Sequence, residues 1–345
     1  MPAQADPDLA LKLAQATADL YGQAVERLLA MVARRLAQGI EQPGWAETKL
    51  AQLTVLRNDA QRVVAALEAD APGVVAEAVR RAWEAGQKAA TAEVSGGIAV
   101  ATNTAAVDRL VAEAVQQVTS THPQILRSTI DVYRQVIQQA SGQTVAGAAT
   151  RRQAAQQALN RFANEGIVGF IDSKGRRWGL DSYTEMACRT TVGRAQVAGT
   201  LERFEADGRD LVIVSDAPQE CSVCRRWEGR VLSISGTDPK HPSLATAQRA
   251  GLLHANCRHR LGAYIPGVTK RLTDTADPAG DQARREQRRL ERGVRQWKQR
   301  AAAALDDDTR RQAERRARDW QARLREHVQA NDLKRQPQRE RLGAR

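Results

Sequence analysis

The stretch "SYTEMACRTTVGRAQVAGTLERFEADGRDLVIVSD", residues 182–216, contains the change from helix to strand that decides the fold. Its first part has the apolar spacing of one helix, and Gly208 can end that helix because glycine accepts the left-handed backbone conformation. The segment "DLVIVSD", residues 210–216, is then typical of a buried strand. The sequence therefore predicts that a helical chain enters a small sheet here.

Further strand patterns lie on both sides of this stretch. "GRVLSIS", residues 229–235, and "HRLGAYIP", residues 259–266, predict two more strands. Upstream, "GIVGFIDSKGRRWGL", residues 166–180, predicts a hairpin around a Lys-Gly turn. Residues 165–270 are therefore expected to form a compact α+β module.

The preceding region, residues 1–164, has a helical pattern from Asp8 onward, as in "LALKLAQATADLYGQAVERLLAMVARRL". Glycine, proline and polar clusters predict about five helices, with breaks at 38–44, 70–73, 95–97, 121–123 and 141–144. Asp70 and Thr121 precede new helical runs and are candidate N-caps. Long N-terminal helices are the expectation.

The last region, residues 271–345, is predicted to be an Arg-rich helical tail in which Asp308 begins a second helix. A narrow apolar stripe recurs at Leu290, Val294, Trp297, Ala301 and Leu305, and again at Ala313, Ala317, Trp320, Leu324 and Val328. The fold class is therefore mostly α, with long N-terminal helices, a small central α+β module and a basic helical tail.

The positive charge of the chain is concentrated in this tail. The formal net charge is +12, and residues 281–345 hold 20 lysines and arginines against 11 acidic residues, an excess of 9. Such a segment favours nucleic acid or an acidic protein surface, although a solvated arginine face has the same composition. The candidate contact residues are Arg284, Arg285, Arg288, Arg289, Arg315, Arg316 and Arg318.

Targeting signals are not evident in the sequence. There is no apolar run of about 18 residues, and the start "MPAQADPDLALKLAQ" has no basic segment followed by a hydrophobic one. We expect neither a membrane span nor a secretory signal, and a protein that stays in a cytoplasm. In such a compartment, clustered cysteines favour a metal or a structural role over disulfides.

Two short clusters carry the strongest chemical signal. Cys221 and Cys224 form a CxxC motif, and His254, Cys257 and His259 form HxxCxH about thirty residues later. Zinc takes four thiolate or imidazole ligands, so three cysteines with His259 or His254 could hold one structural zinc ion. Packed apolar thiols remain an alternative.

Catalysis is the least favoured interpretation of these clusters. Cys257 beside a histidine could form a nucleophile and base pair, but the sequence identifies neither an oxyanion donor nor a third, orienting group. The nearby carboxylates Glu185, Glu220 and Glu228 cannot be placed relative to it. No catalytic residue and no organic cofactor is assigned.

Several ordered blocks resemble the phage minor capsid protein 2 family, which is related in organisation to head-morphogenesis proteins of the phage Mu F type. The resemblance covers roughly residues 85–270 and rests on "ALNRFANEGIVGFIDSKGRRWGLDSYTEMACRTTVGRAQVAG", "GRDLVIVSDAP", "WEGRVLSISG" and "GLLHANCRHRLGAYIPGVTK". The matching positions are Gly169, Phe170, Asp172, Gly175, Arg176, Trp178, Tyr183, Glu185, Met186, Arg189, Thr190, Trp227, Gly229, Ser233, Asn256, Cys257, Arg258, His259 and Pro266. Some relatives have "NCRH" without the CxxC motif, which makes a metal a feature of a subgroup.

The resemblance implies a structural role in the virion. The expected protein is a minor component of the phage head close to the portal, present in the host cytoplasm during assembly. Its expected partners are portal or major capsid proteins, with packaged double-stranded DNA as a contact of the tail and no membrane partner. The alternative is an enzyme packaged in the virion, either a metal-dependent hydrolase or an ADP-ribosyltransferase-like effector.

Two sets of residues have both a structural and a functional interpretation. Glu185, Arg189 and Thr190 lie one turn apart and indicate a buried Arg-Glu pair rather than an active-site face. Trp178 and Trp227 are expected to pack in the core rather than to stack on bases, because the chain is only 4 % aromatic.

Overall fold

The computed structural model describes residues 8–94, 102–165, 170–171, 177–270 and 275–342, and its architecture is mostly α as predicted. The helices are α1 (Leu9–Leu13), α2 (Gln15–Ala37), α3 (Trp45–Ala51), α4 (Leu53–Glu93), α5 (Thr104–Thr119), α6 (His122–Val145), α7 (Arg151–Glu165), α8 (Leu180–Ala206), α9 (Ser222–Arg225), α10 (Leu244–Arg249), α11 (Pro278–Ala302) and α12 (Asp307–Ala330), followed by a 3-10 turn at Pro337–Glu340. The strands are β1 (Phe170–Ile171), β2 (Arg177–Trp178), β3 (Leu211–Val214), β4 (Val231–Ser233) and β5 (Leu261–Ala263).

The long N-terminal helices agree with the sequence pattern. Within the described residues before 166, five helices have 15 or more residues, and α1 and α3 are short. The breaks expected at 38–44 and 121–123 are confirmed. The break expected at 95–97 and the hairpin turn at 172–176 lie outside the described residues.

The break predicted at 70–73 is wrong, and so is the N-cap assigned to Asp70. Helix α4 runs for 41 residues with Pro72 inside it. An interior proline costs about 3 kcal/mol, because it removes a helical hydrogen bond and crowds the preceding turn. The helix continues because it buries apolar side chains at helical spacing on both sides of the proline, namely Val64, Leu67, Ala71, Val75 and Val79.

Three other local predictions need correction. Helix α6 continues through residues 141–144 and stops before Gly147, whose φ of 66° is the left-handed conformation that ends helices. Thr121 occupies the N-cap position of α6, but its hydroxyl donates to the carbonyl of Val118 at 2.7 Å and caps nothing. Asp306, rather than Asp308, caps α12 by accepting from the Thr309 amide at 2.8 Å.

Contacts divide the chain into two compact units, each built from separate segments. The first unit comprises Met1–Gln15, Gly73–Gln117 and Glu185–Arg285, and the second comprises Ala16–Pro72, Val118–Thr184 and Glu286–Arg345. The three regions 1–164, 165–270 and 271–345 remain a prediction about functional segments. No helix in the described part of the chain combines the length and apolar character that a membrane span requires.

The first unit contains the antiparallel sheet, in the order β4-β3-β5. Val212 lies opposite Leu232 on one side and Ala263 on the other, so β3 is the central strand. The three predicted strands are thus confirmed, as is the end of α8 before Gly208, which has a φ of 69°. The core beneath the sheet includes Phe204, Val214, Leu252, Leu261 and the thiol-bearing Cys224.

Helices α4 and α8 cross at close range within the first unit because glycines lie at the crossing. A Cβ at Gly86 would overlap the carbonyl oxygen of Gln196, and one at Gly199 would overlap that of Trp83. Glu202 of α8 also links the two helices, because its carboxylate accepts a hydrogen bond from the indole N–H of Trp83 in α4 at 3.1 Å. The backbones therefore touch, which positions α8 against the sheet.

The second unit is a helical assembly that includes most of the basic tail. Its largest fully buried side chains include Tyr21, Tyr133, Leu28, Leu36 and Leu159. Gln156 in α7 accepts from the Leu305 amide at 2.8 Å and donates to the Ala303 carbonyl at 3.3 Å. The tail is therefore an integral part of this unit, since the α11–α12 turn is bonded to α7.

Candidate metal centre

Two tight turns, each closed by the same type of amide-to-carbonyl bond, present the CxxC and HxxC residues. The first is right-handed in α9, whereas Asn256 in the second has a φ of 63°. In the first turn, the Cys224 amide donates to the Cys221 carbonyl at 3.1 Å, and Cys221 is the N-cap of the short helix α9. In the second, the Cys257 amide donates to the His254 carbonyl at 2.9 Å. Each turn therefore directs two donor side chains toward the same side of the backbone.

Packing around α10 brings the two turns together. Gly251 follows α10 with a φ of 101°, and a Cβ there would lie 2.6 Å from Cγ1 of Val223. Only glycine allows the backbone after α10 to approach the CxxC turn this closely. The carbonyl of Gly251 lies 3.8 Å from Sγ of Cys224, so the second turn starts directly beside the first.

Donor atoms of the two clusters lie close to one another. Sγ of Cys224 is 3.7 Å from Sγ of Cys257, Nε2 of His254 is 3.0 Å from Sγ of Cys221, and Nδ1 of His259 is 3.4 Å from Sγ of Cys257. Tetrahedral zinc with Zn–S bonds of about 2.3 Å separates its sulfurs by about 3.8 Å. The Cys224 to Cys257 distance fits that geometry.

The donor atoms form two overlapping groups. Cys221, Cys224 and His254 have donor atoms within 4.8 Å of one another, and so do Cys224, Cys257 and His259. Cys224 belongs to both groups and is buried. A site with four ligands would therefore combine donors from both groups around the shared Cys224 thiol.

In each histidine, the ring nitrogen that does not face a cysteine lies within hydrogen-bond distance of an acceptor. Nδ1 of His254 lies 2.7 Å from the carbonyl of Ala255, and Nε2 of His259 lies 2.7 Å from Oε1 of Glu228. Such partners orient metal-binding histidines and fix which ring nitrogen faces the metal. Glu228 is the orienting group that sequence reasoning did not place, because it depends on a contact across 31 residues.

The electrostatics favour thiolates in the cluster. A hydrogen bond with Cys224 lowers the pKa of Cys257 to about 4 against the opposing effect of burial, and His259 acts in the same direction. The same bond raises the pKa of Cys224. Burial opposes a charge on His259, but Cys257 and Glu228 outweigh it and raise its pKa. A cation entering the cluster would stabilise all three thiolates and displace the Cys224 proton.

Two buried glutamates connect the CxxC segment to the chain that leads into α11. Glu228 accepts from the Ala217 amide at 3.2 Å and from the Thr275 hydroxyl at 2.7 Å. Glu220 forms an ion pair with Arg225 and accepts from the Asp277 amide at 3.0 Å. The cluster therefore lies at a junction between the sheet and the start of α11.

A cleft of about 480 Å³ borders the cluster and is lined in part by Cys257, His259 and Arg189. Arg189 pairs with Glu185 at 3.6 Å, and both side chains are largely buried. The Thr190 hydroxyl donates to the Met186 carbonyl at 2.7 Å and is thereby engaged within α8. These contacts agree with the structural interpretation of the three residues.

Trp227 lies in the core of the first unit, with the guanidinium groups of Arg226 and Arg230 5.6 and 5.7 Å from its ring centre. Packing in the core is therefore confirmed for Trp227. The side chain of Trp178, and the positions Gly169, Asp172, Gly175 and Arg176, lie outside what the structure describes.

The candidate arginines of the tail are in unequal environments. Arg285 pairs with Asp281 at 2.8 Å, Arg289 with Glu286 at 2.6 Å and Arg316 with Asp319 at 4.0 Å, all on the surface. Arg288 is held by Glu291 at 2.8 Å, and its side chain is only 16 % exposed. Arg284 is half-buried, whereas Arg315 and Arg318 are exposed. Arg288 therefore serves the packing of the tail.

A cavity of about 700 Å³ in the second unit brings the candidate Arg318 together with cations that the sequence pattern did not single out. Arg318 lines it together with Lys298, Arg310 and Arg341, and its acidic lining residues are Glu26 and Glu314. The floor includes small apolar residues such as Ala301 and Ala317. Arg310 pairs with Asp307 at 2.8 Å and Lys298 donates to the Glu340 carbonyl at 2.7 Å. Four cations against two carboxylates nevertheless leave an excess of positive charge in the lining, which suits an anion.

Comparisons with known proteins identify the family. The model of the family "Phage minor capsid protein 2" matches residues 5–329. A "Structural protein" of Lactococcus phage LL-H is 28% identical over 226 residues, which cover 61% of each chain, so this chain spans less than two thirds of that relative. A "Structural protein" of Lactococcus phage mv4 is 33% identical over 116 residues, 30% of this chain and 94% of the relative. No solved structure matches. The chain belongs to the phage minor capsid protein 2 family.

Proposed function

We propose that this protein is a structural component of the phage head, located close to the portal, and that it acts as an adaptor between head proteins and DNA. The observation that carries the proposal is the family match over residues 5–329. It is supported by the relatives that are named structural proteins. The second unit would supply helical surfaces for attachment, and the first would supply a rigid sheet.

The Cys/His cluster would bind one structural zinc ion through Cys221, Cys224, Cys257 and one histidine. The 3.0 Å contact between Nε2 of His254 and Sγ of Cys221 favours His254 as the fourth ligand. His259, which Glu228 holds through its other ring nitrogen, would then donate to the Cys257 thiolate. Four protein ligands leave no open position for substrate, which is typical of structural rather than catalytic zinc. The ion would fasten the CxxC turn to the segment that enters β5.

A thiol enzyme is the second candidate, and one observation favours it. Cys257, His259 and Glu228 form a chain of contacts at 3.4 and 2.7 Å, as a nucleophile, a base and its orienting carboxylate would. The neighbouring Cys224 thiol at 3.7 Å has no role in such a triad but is required by a metal site. The metal interpretation accounts for more of the cluster.

The cavity lined by Lys298, Arg310, Arg318 and Arg341, here called the basic cavity, is the part of the second unit best suited to bind the phosphates of a DNA backbone. Replacing Arg318 and Arg341 with glutamine is expected to weaken binding to duplex DNA without changing the fold, because both side chains are exposed at the rim. The slope of log K against log salt should become shallower by about 2, since each lost phosphate contact removes about one unit. Fluorescence anisotropy at several salt concentrations measures this slope.

A matched control has the same charge change elsewhere. Arg109 and Arg161 are exposed arginines outside the cavity. Their replacement with glutamine should leave the slope nearly unchanged. Equal slopes for the two double variants would assign DNA binding to net charge alone, and no DNA binding by the unmodified protein would favour an acidic protein partner.

The structural role itself is tested on particles. We expect the protein in purified, DNA-filled heads and in empty heads, at a few copies each, and cross-linked to the portal. Quantitative mass spectrometry of gradient-purified particles gives the copy number, and the cross-linked peptides identify the neighbour. Absence from particles of both kinds would contradict a head-structural role.

A further inference from the structure

We propose that a groove between α4 and α6 is a docking site for an acidic amphipathic helix of another protein. The inference deepens the proposed function, on which it rests, by identifying the chemistry of the partner that the second unit binds. The groove has a volume of about 420 Å³. Its lining residues are Leu53, Thr54, Arg57, Pro123, Leu126, Arg127, Ile130, Asp131 and Arg134.

The floor of the groove is apolar. Leu126 and Ile130 lie one turn apart on α6, and Leu53 faces them from the start of α4. All three side chains are only half-buried, so apolar surface stays in contact with water. A helix that inserts leucine-like side chains at positions i, i+3 or i+4, and i+7 would cover this surface.

Two further apolar side chains close to Leu53 in the chain are exposed. Leu50 and Val55, which flank Leu53 in the chain, are 45% and 50% exposed. Both are among the five most exposed large apolar side chains of the described residues. Neither side chain lines the groove, so the apolar character of the groove rests on Leu53, Leu126 and Ile130.

The rim of the groove supplies the charge selectivity. Arg57, Arg127 and Arg134 are exposed, and none of them forms an ion pair or a side-chain hydrogen bond within the described chain. Asp131 is the one acidic residue among the lining residues. Three guanidinium groups against one carboxylate leave the rim with an excess of positive charge, which complements a helix whose polar face is acidic.

The apolar floor distinguishes this site from a nucleic-acid site. Phosphates would contact the arginines but would leave Leu126, Ile130 and Leu53 exposed, so DNA gains little from the groove. A second copy of this chain is also a poor match, because the chain carries a net charge of +12. An acidic amphipathic helix would cover the apolar floor with its apolar face and pair its carboxylates with the arginines of the rim.

The experiment uses the full-length protein and a fluorescent 18-residue peptide with leucines at helical spacing and glutamates elsewhere. The rim variant replaces Arg57, Arg127 and Arg134 with glutamine, and the control variant replaces Arg109, Arg161 and Arg325, which are exposed elsewhere. We expect the rim variant to bind the peptide about tenfold more weakly and the control variant to bind it like the unmodified protein. Circular dichroism establishes that both variants are folded.

Three results would contradict the docking site. The rim and control variants could lose the same amount of affinity for the peptide. The unmodified protein could also bind a peptide with lysines in place of the glutamates, or one with the same residues in scrambled order, as tightly as the designed peptide. A short DNA duplex that displaces the peptide from the unmodified protein, and whose own binding is weakened by the rim substitutions but not by the control substitutions, would reassign the site to nucleic acid. A rim variant present in heads at normal copy number, with normal peptide binding, contradicts the groove but leaves the structural role intact, whereas absence of the unmodified protein from heads contradicts both.

Discussion

Replacing Cys224 with serine is expected to destabilise the first unit by about 5 kcal/mol and to lower its melting temperature by about 10 °C or more. Cys224 is buried and belongs to both groups of donor atoms, so its loss would remove a ligand that the proposed zinc site needs. Chelator added to the unmodified protein should produce the same loss. Differential scanning calorimetry, with and without chelator, measures both effects.

The control for this prediction is Cys188→Ala, because Cys188 is buried in α8 and belongs to neither donor group. This variant should lose only the contribution of its packing and should still respond to chelator. Acidification should also release the ion, since the pKa of the Cys224 thiol is raised and its proton competes with the metal. If the Cys224 variant and the unmodified protein without chelator had the same melting curve, the proposed metal site would be contradicted.

Replacing Gly86 with alanine is expected to cost about 3 kcal/mol, at the upper end of what overpacking costs. A Cβ there would overlap the Gln196 carbonyl oxygen and lie 2.9 Å from its carbon, and backbone atoms cannot move aside as a side chain can. Gly199→Ala should have a similar effect through the Trp83 carbonyl on the facing helix. Urea denaturation measures the free energy of unfolding of each variant.

The same two helices provide matched controls. A Cβ at Gly73 in α4 or at Gly193 in α8 would have, apart from the backbone of its own helix, no atom of the described residues within 4 Å. Alanine at either position should be neutral or stabilising by about 0.5 to 1 kcal/mol, because it lowers the entropy of the unfolded chain. If Gly86→Ala and Gly73→Ala had equal effects, the close crossing of α4 and α8 would be refuted.

Local patterns predicted the elements but not the contacts between them. The strand β3, the end of α8 before Gly208 and the helical tail all follow from residues that are neighbours in sequence. The continuity of α4 through Pro72 does not, because burial of residues on both sides of the proline decides it. Gly86 and Gly199 give no local signal either, since a glycine in a helical pattern looks the same with or without a facing backbone.

The candidate metal centre shows the same limit. The spacing of Cys221, Cys224, His254 and Cys257 was sufficient to predict that they converge. The roles of Glu228 and Glu220 depend on the fold between the two clusters and could not be predicted. The arginine run at 315–318 pointed to Arg318, but its grouping with Lys298 and Arg341 was missed, because those residues come from other elements of the fold.

The most direct test of the metal centre is the zinc content of full-length protein purified without chelator, measured by mass spectrometry alongside Cys257→Ser, His254→Ala and His259→Ala. We predict one zinc ion per chain in the unmodified protein, none in the Cys257 variant, a large loss in the His254 variant and retention in the His259 variant. The proposed zinc site would be contradicted if the unmodified protein contained no metal and the Cys257 variant differed from it only in stability.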